Sequence, residues 1–264
     1  MAASPRAEQV EALLASLYRD EVRHSRLIWR LEADRRYDWP YPGLWHDPAG
    51  ATLIDLTGHP RLDGGPSPDR IPWFQAGAED GEALELLLGV RLPPLCEVLL
   101  DQRFHDRLAR LGDVHSAGAL EVHACAPGQL GEAALPLDPT RLTPRQRALV
   151  AEDDWRPDDL AEECDETRDG VRWAIVRDGH IVSRLLVQTV SRHVRELADV
   201  QTRADRRRRG YGAGLVQAVT RRLHERGLTV TYSVHPDNAP SRALAQAVGF
   251  RPVFTWERYA LIRR

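Results

Sequence analysis

DVQTRADRRRRGYGAGLV, residues 199–216, decides how this chain is read. Arg206, Arg207, Arg208 and Arg209 follow one another, and Gly210, Gly212 and Gly214 come directly after. The residues before the arginines have strand character. Beyond the glycines, Leu215, Val219 and Leu223 recur on one helical stripe. The stretch is therefore a strand, an arginine-glycine loop and a helix. A helix N-terminus presents unpaired N–H groups and a partial positive charge. Glycines let a ligand approach that backbone, so the arrangement suits a pyrophosphate. The dinucleotide fingerprint GxGxxG does not fit, because its third glycine would fall on Leu215. The nucleotide loop ending in Gly-Lys-Ser/Thr does not fit either, since the chain contains no Lys.

The rest of the composition bounds the function. The 264 residues carry a formal net charge of -3, with 42% hydrophobic and 28% charged residues. That is the balance of a globular protein with a real core. An acidic excess argues against a surface built for nucleic acid, which needs a basic face. Cys96, Cys125 and Cys164 are odd in number and widely spaced, so neither a disulfide framework nor a zinc pattern is expected. Buried reduced thiols in a cytoplasmic protein are the expectation. No apolar signal core or run of about 18 apolar residues is present, so no membrane association is expected.

Residues 7–35 lack Pro and Gly, and Val10, Leu13, Leu14, Leu17, Leu27 and Leu31 recur at helical spacing, which predicts a helix. Residues 37–50, rich in aromatics and turn formers, read as a loop that packs on the core or walls a pocket. Residues 51–58, 71–77, 95–100 and 119–126 read as strands, and 79–90 and 103–112 as helices. The Pro- and Gly-rich stretch 127–140 reads as a domain boundary. After it, 143–154 reads as a helix capped by Thr143. Residues 171–190 read as a hairpin turning at Asp178-Gly179, and 195–202 as a third antiparallel strand. Then come a helix ended by Gly227, a strand at 228–234, a helix capped by Asn238 and ended by Gly249, and a closing strand at 253–262.

Arg207-x-x-Gly210-x-Gly212 resembles the R/Q-x-x-G-x-G/A signature of the GNAT superfamily of N-acetyltransferases. About 25 residues on, NAPSRALAQAVGF (238–250) resembles the family's N-x-x-S-x-x-L-x-x-x-x-G-F, and Asn238 is the chain's single Asn. The resemblance covers about residues 141–264. It implies an α/β (α+β) fold: a mixed, mostly antiparallel GNAT sheet flanked by helices, with an additional N-terminal α/β domain. The expected division is a helix-rich domain at 1–140 and an acetyl-CoA-binding domain at 141–264. The boundary moves to near 117 if strand 119–126 completes the second sheet. The helix–strand alternation of the first half suggests a degenerate GNAT-like half without a cofactor loop, which shapes the acceptor pocket or forms a dimer surface.

By the same resemblance, the backbone around Arg207, Arg208, Arg209, Gly210, Tyr211 and Gly212 would hold the pyrophosphate of acetyl-CoA. Val200, Gln201 and Thr202 would bond the pantetheine arm, and Asn238 and Ser241 would face the cofactor. The implied activity is acetyl transfer to the amine of a small molecule or peptide; the alternative is a non-catalytic acyl-CoA-binding regulatory module. One position departs from the pattern: many relatives have a Tyr general acid where this chain has Ala245. Glu196, Asp199 and His193 are candidates for the base. Strand alternation puts Glu196 and Asp199 on opposite faces, and Glu196 is favoured. No metal site and no nucleic-acid partner are expected.

Overall fold

The computed structural model describes residues 7–36, 43–47, 49–57, 71–131, 135–142 and 170–264. In chain order its helices are α1 (Ala7–Leu17), α2 (Glu21–Arg36), α3 (Gly81–Arg91), α4 (His105–Ala109), α5 (Tyr211–His224) and α6 (Ala239–Val248). Its strands are β1 (Leu44–His46), β2 (Thr52–Asp55), β3 (Trp73–Gly77), β4 (Leu95–Asp101), β5 (Gly112–Cys125), β6 (Thr140–Arg141), β7 (Val171–Arg177), β8 (His180–Thr189), β9 (Val194–Thr202), β10 (Thr229–Val234) and β11 (Arg251–Arg263). The chain divides into two compact units. One comprises Met1–Glu121 with Phe254–Arg264, the other Val122–Val253. The divisions fall inside β5, between the positions 117 and 140 read from the sequence, and inside β11.

In the first unit, β1, β2 and β3 form an antiparallel meander. The chain then crosses through α3 to β4, which lies parallel to β3, and β11 pairs antiparallel with the other edge of β4. Alternation along these strands supplies both faces. Phe74, Ala76, Cys96, Val98, Leu100, Tyr259 and Leu261 pack under Leu84 and Leu88 of α3. Ile54 and Leu56 pack with Leu13, Leu17, Leu27, Ile28 and Leu31 of α1 and α2. The helix expected over 7–35 is broken by a 3-10 turn at Tyr18–Asp20. The Asp20 carboxylate accepts from the Arg23 N–H at 3.2 Å and so restarts the helix as α2. The stretch 37–50, expected to be all loop, contains β1.

In the second unit, β7, β8 and β9 form an antiparallel meander, and β10 runs parallel to β9 after the α5 crossover. The Asp178-Gly179 turn joins β7 to β8, as its dipeptide predicts. The apolar stripe of α5 (Leu215, Val216, Val219 and Leu223) packs on Val182, Leu185, Leu197, Val230 and Tyr232, and α6 adds Ala245 and Val248. Each unit thus runs through a three-strand antiparallel meander, a helix, a parallel strand and a second helix. In each unit the strands run in mixed directions and are flanked by helices. Cys96 and Cys125 are buried free thiols, and burial pushes the Cys96 thiol up to about 11. The expected helix at 143–154 and Cys164 lie outside the described residues.

Candidate functional site

The site begins where two parallel strands part. β9 and β10 pair from Val194↔Thr229 to Leu197↔Tyr232, and there the ladder ends although both strands continue. Beyond Leu197, β10 no longer covers the edge of β9. The next stretch of β9, Val200 to Thr202, borders the opening, and there the Gln201 carbonyl accepts from the Ser183 hydroxyl of β8 at 3.0 Å.

The parting coincides with a bulge. On β8, Arg184 pairs with Gln201 while Leu186 pairs with Ala198, so β9 carries extra chain at Asp199-Val200. Asp199 has the left-handed φ of 50°. Its carboxylate accepts from Arg172 at 2.7 Å and from the Gln201 side-chain amide at 2.7 Å. The Gln201 carbonyl oxygen in turn accepts from Arg184 at 2.7 Å. This corrects the alternation argument. Arg172 and Ala198 both flank Leu186, on the face that carries Glu196 opposite Gln188. The bulge resets the count and turns Asp199 to that same face, where two arginines hold it. Glu196 is buried, and its carboxylate accepts from the Ser233 hydroxyl at 2.8 Å. His193 is exposed in the turn before β9.

The opposite face of β9 leads into the arginine loop. Thr202 shares a 2.9 Å hydrogen bond with the buried Ser183 hydroxyl, and its carbonyl accepts from Arg207 Nε at 3.1 Å. Arg208 and Gly210 both have left-handed backbones, with φ of 58° and 82°. Left-handed residues of this kind turn successive N–H groups toward a common centre, an anion-binding geometry. Gly210 is the N-cap of α5, and a glycine brings no side-chain acceptor to the first turn. By contrast, Asp80 caps α3 and Asn238 caps α6. A Cβ at Gly212 would stand 3.1 Å from both Thr202 Oγ1 and Leu244 Cδ1, so the helix starts close against β9 and α6. Arg208 and Arg209 are exposed, whereas Arg203 and Arg206 pair with Asp205. The start of α5 is thus a positively charged helix terminus without a side-chain cap, with Leu135 packed beside Gly210.

On α6, the Asn238 side chain accepts from the Ser241 N–H at 3.1 Å, so Asn238 is a helix cap. The Ser241 hydroxyl lies 2.7 Å from the Tyr232 hydroxyl. Ala245 is fully buried, and Val200 and Tyr211 pack at the edge of the core. The structure brings Thr202, the Arg207–Gly212 loop and the start of α6 to one end of the parted strands. Glu196 lies on β9 just before the parting. Ser183, Ser233 and Tyr232 were not found from the sequence, because cross-strand partners leave no local spacing.

The family model described as FR47-like protein matches residues 175–260. No curated protein sequence matches the chain. An X-ray structure of a Drosophila protein is 19% identical, with 98% of this chain and 97% of that chain covered and a TM-score of 0.57. A GCN5-related N-acetyltransferase from Kribbella flavida is 17% identical over 90% of this chain and 95% of its own, with a TM-score of 0.52. A tandem GNAT protein from the clavulanic acid biosynthesis pathway is 16% identical over 98% and 96%, with a TM-score of 0.56. At these identities the likeness establishes the fold. The second unit, which holds most of that match, is a GNAT-type domain.

The two-unit layout agrees with the tandem GNAT protein. Only the GNAT-type domain carries the arginine-glycine loop. In the first unit the parallel ladder of β3 and β4 also ends early, at Gln75↔Leu99. There, however, α3 begins with Asp80 accepting from the Glu82 N–H at 2.7 Å, beside the exposed Glu79. Arg103 donates to the Ala78 carbonyl at 2.7 Å. An acidic, capped helix start repels phosphate. Among the described residues, no group of three or more His, Cys, Asp or Glu is placed to hold a metal ion. No described helix is long and apolar enough to cross a membrane.

Proposed function

We propose that the GNAT-type domain binds acetyl-CoA and transfers its acetyl group to an amine of a small molecule or peptide. One observation carries this reading: an uncapped, arginine-flanked helix terminus stands at the end of two parted parallel strands. The N–H groups of Arg208 to Gly212 would hold the pyrophosphate, with Arg207, Arg208 and Arg209 adding charge. The stretch Val200, Gln201 and Thr202 would line the pantetheine arm and bond it, with Asn238 and Ser241 on the far wall. Bound there, the thioester supplies an activated acyl group. Glu196, held by Ser233, takes the proton that the attacking nitrogen sheds. The arginine run serves phosphate and not nucleic acid, in keeping with the formal net charge of -3.

Titration with acetyl-CoA tests the cradle. Binding in the micromolar range or tighter, about -8 kcal/mol, is expected. Gly212→Glu places a carboxylate against the phosphates and should abolish binding. Gly212→Ala asks its neighbours to yield only a few tenths of an ångström and should retain it. Thiol release in the presence of an amine library then tests transfer. Binding without release would favour the regulatory acyl-CoA module, and absence of binding would overturn both readings.

A further inference from the structure

Tyr232 is the last residue of β10 paired to β9, so it stands where the strands part. Its side chain is 3% exposed and its ring packs edge-on against Phe250. The hydroxyl reaches the first turn of α6, 2.7 Å from Ser241 Oγ. Ser241 is half-buried, and Asn238 fixes its backbone through the cap.

The chemistry of the pair sets its direction. A buried phenol must donate its hydrogen, and among the described residues Ser241 Oγ is the acceptor within reach. A phenol is also a better acid than an alkyl alcohol, so Tyr232 donates and Ser241 accepts. That occupies one side of the serine oxygen and leaves the serine's own hydrogen free to point elsewhere. Burial pushes the Tyr232 hydroxyl above its ordinary range, so it keeps its proton and remains a donor at neutral and mildly alkaline pH.

We infer that Tyr232 orients the Ser241 hydroxyl into the opening between β9 and β10, where the serine O–H donates to the sulfur that leaves the thioester. The inference rests on the acyl-transfer reading above. In that reaction the amine nitrogen attacks the thioester carbonyl, a C–N bond forms and the C–S bond breaks. The bonding pair leaves on sulfur, and the nitrogen's proton passes to Glu196. The thiolate accepts the Ser241 hydrogen bond as its charge develops and takes a proton from water as it departs, and the hydroxide left behind takes the proton from Glu196, which returns to carboxylate. Ser241 and Tyr232 emerge unchanged. Ser241 is the residue that touches the reacting sulfur; Tyr232 is a positioning residue that acts through it.

Single-turnover thiol release, acetyl-CoA titration and unfolding midpoints of four variants test this. One hydrogen bond to a charged group is worth about ten- to a hundred-fold in rate, so Ser241→Ala should slow the chemical step by that factor. Tyr232→Phe should slow it by up to about tenfold, and Ser241→Thr should restore most of the rate. Acetyl-CoA affinity should stay within about twofold throughout, since a hydrogen bond made only in the transition state leaves ground-state binding alone. In the double variant, Tyr232→Phe should cost nothing further on top of Ser241→Ala, as expected for residues acting in series. Losses that multiply, a Tyr232→Phe protein as fast as wild type, or a loss of affinity in place of rate would each overturn the inference while leaving acyl transfer standing. A wild-type protein that binds acetyl-CoA yet releases no thiol with any amine would overturn the acyl-transfer reading, and this inference with it.

Discussion

Asp199 offers the sharpest test of how the site is opened. It holds a left-handed backbone at the bulge, and its carboxylate joins Arg172 and Gln201. Two effects compete when it is replaced. The left-handed conformation costs an ordinary L-residue about 1–2 kcal/mol, less for Asp or Asn and more for a β-branched side chain. The ion pair is partly open to solvent, with the Asp199 side chain 30% exposed, so it contributes no more than about 1 kcal/mol. Asp199→Val loses both and should destabilise by about 2–3 kcal/mol. Asp199→Asn keeps the backbone preference and should cost at most about 1 kcal/mol. Asp199→Gly relieves the strain but adds about 0.5–1 kcal/mol of backbone entropy and loses the ion pair, so it should fall near Asn. Urea midpoints followed by circular dichroism rank the three. Acetyl-CoA titration reads the site directly. Flattening the bulge lets β9 close toward regular pairing, so the Val variant should bind at least about tenfold more weakly, a change of roughly 1.4 kcal/mol. A Val variant as stable and as tight-binding as wild type, or a Gly variant worse than Val, would show that Asp199 does not set the bulge.

Three other outcomes are expected. Glu196→Gln should lower thiol release about 100-fold at unchanged acetyl-CoA affinity, with partial recovery as rising pH neutralises the acceptor; an unaffected rate would remove Glu196 as the base. Calorimetry should find one acetyl-CoA per chain, because Asp80 and Glu79 occupy the corresponding helix start of the first unit; two equivalents would refute that. His24, 3% exposed on α2, has its pKa lowered from 6.5, chiefly by burial. The unfolded state therefore takes up a proton near pH 6.5 that the folded state refuses, and stability falls as pH drops through that value toward the lower folded pKa. His24→Leu should flatten the unfolding midpoint between about pH 7 and 5, and an unchanged slope would rule His24 out.

Local chemistry made the GNAT-type domain legible. Asp178-Gly179 located a hairpin, and Gly210, Gly227, Asn238 and Gly249 bounded two helices. These residues fix backbone conformation without help from elsewhere in the chain. The arginine-glycine loop was legible for the same reason. The bulge was not, because alternation assumes one residue per rung and Asp199-Val200 breaks that rule. The Glu196–Ser233 and Tyr232–Ser241 pairs were hidden because each joins two elements. In the first unit, periodicity marked most strands but missed β1 inside an aromatic-rich stretch. It could not say that the strand at 253–262 serves the first unit, since an apolar pattern names a strand and never its neighbour.

That last strand has a consequence for how the protein is made. β4 receives β11 along the edge facing away from β3, through pairs from Asp101↔Trp256 to Leu95↔Ile262. A ribosome delivers β4 early and β11 only after the whole second unit. At about 5–20 residues per second, the delay is on the order of ten seconds. For that time the nascent first unit exposes an unpaired edge with Cys96, Val98 and Leu100 beside it, the kind of surface that invites wrong partners. The N-terminal unit is therefore the last to be finished, and the order of birth in this chain is not the order of completion.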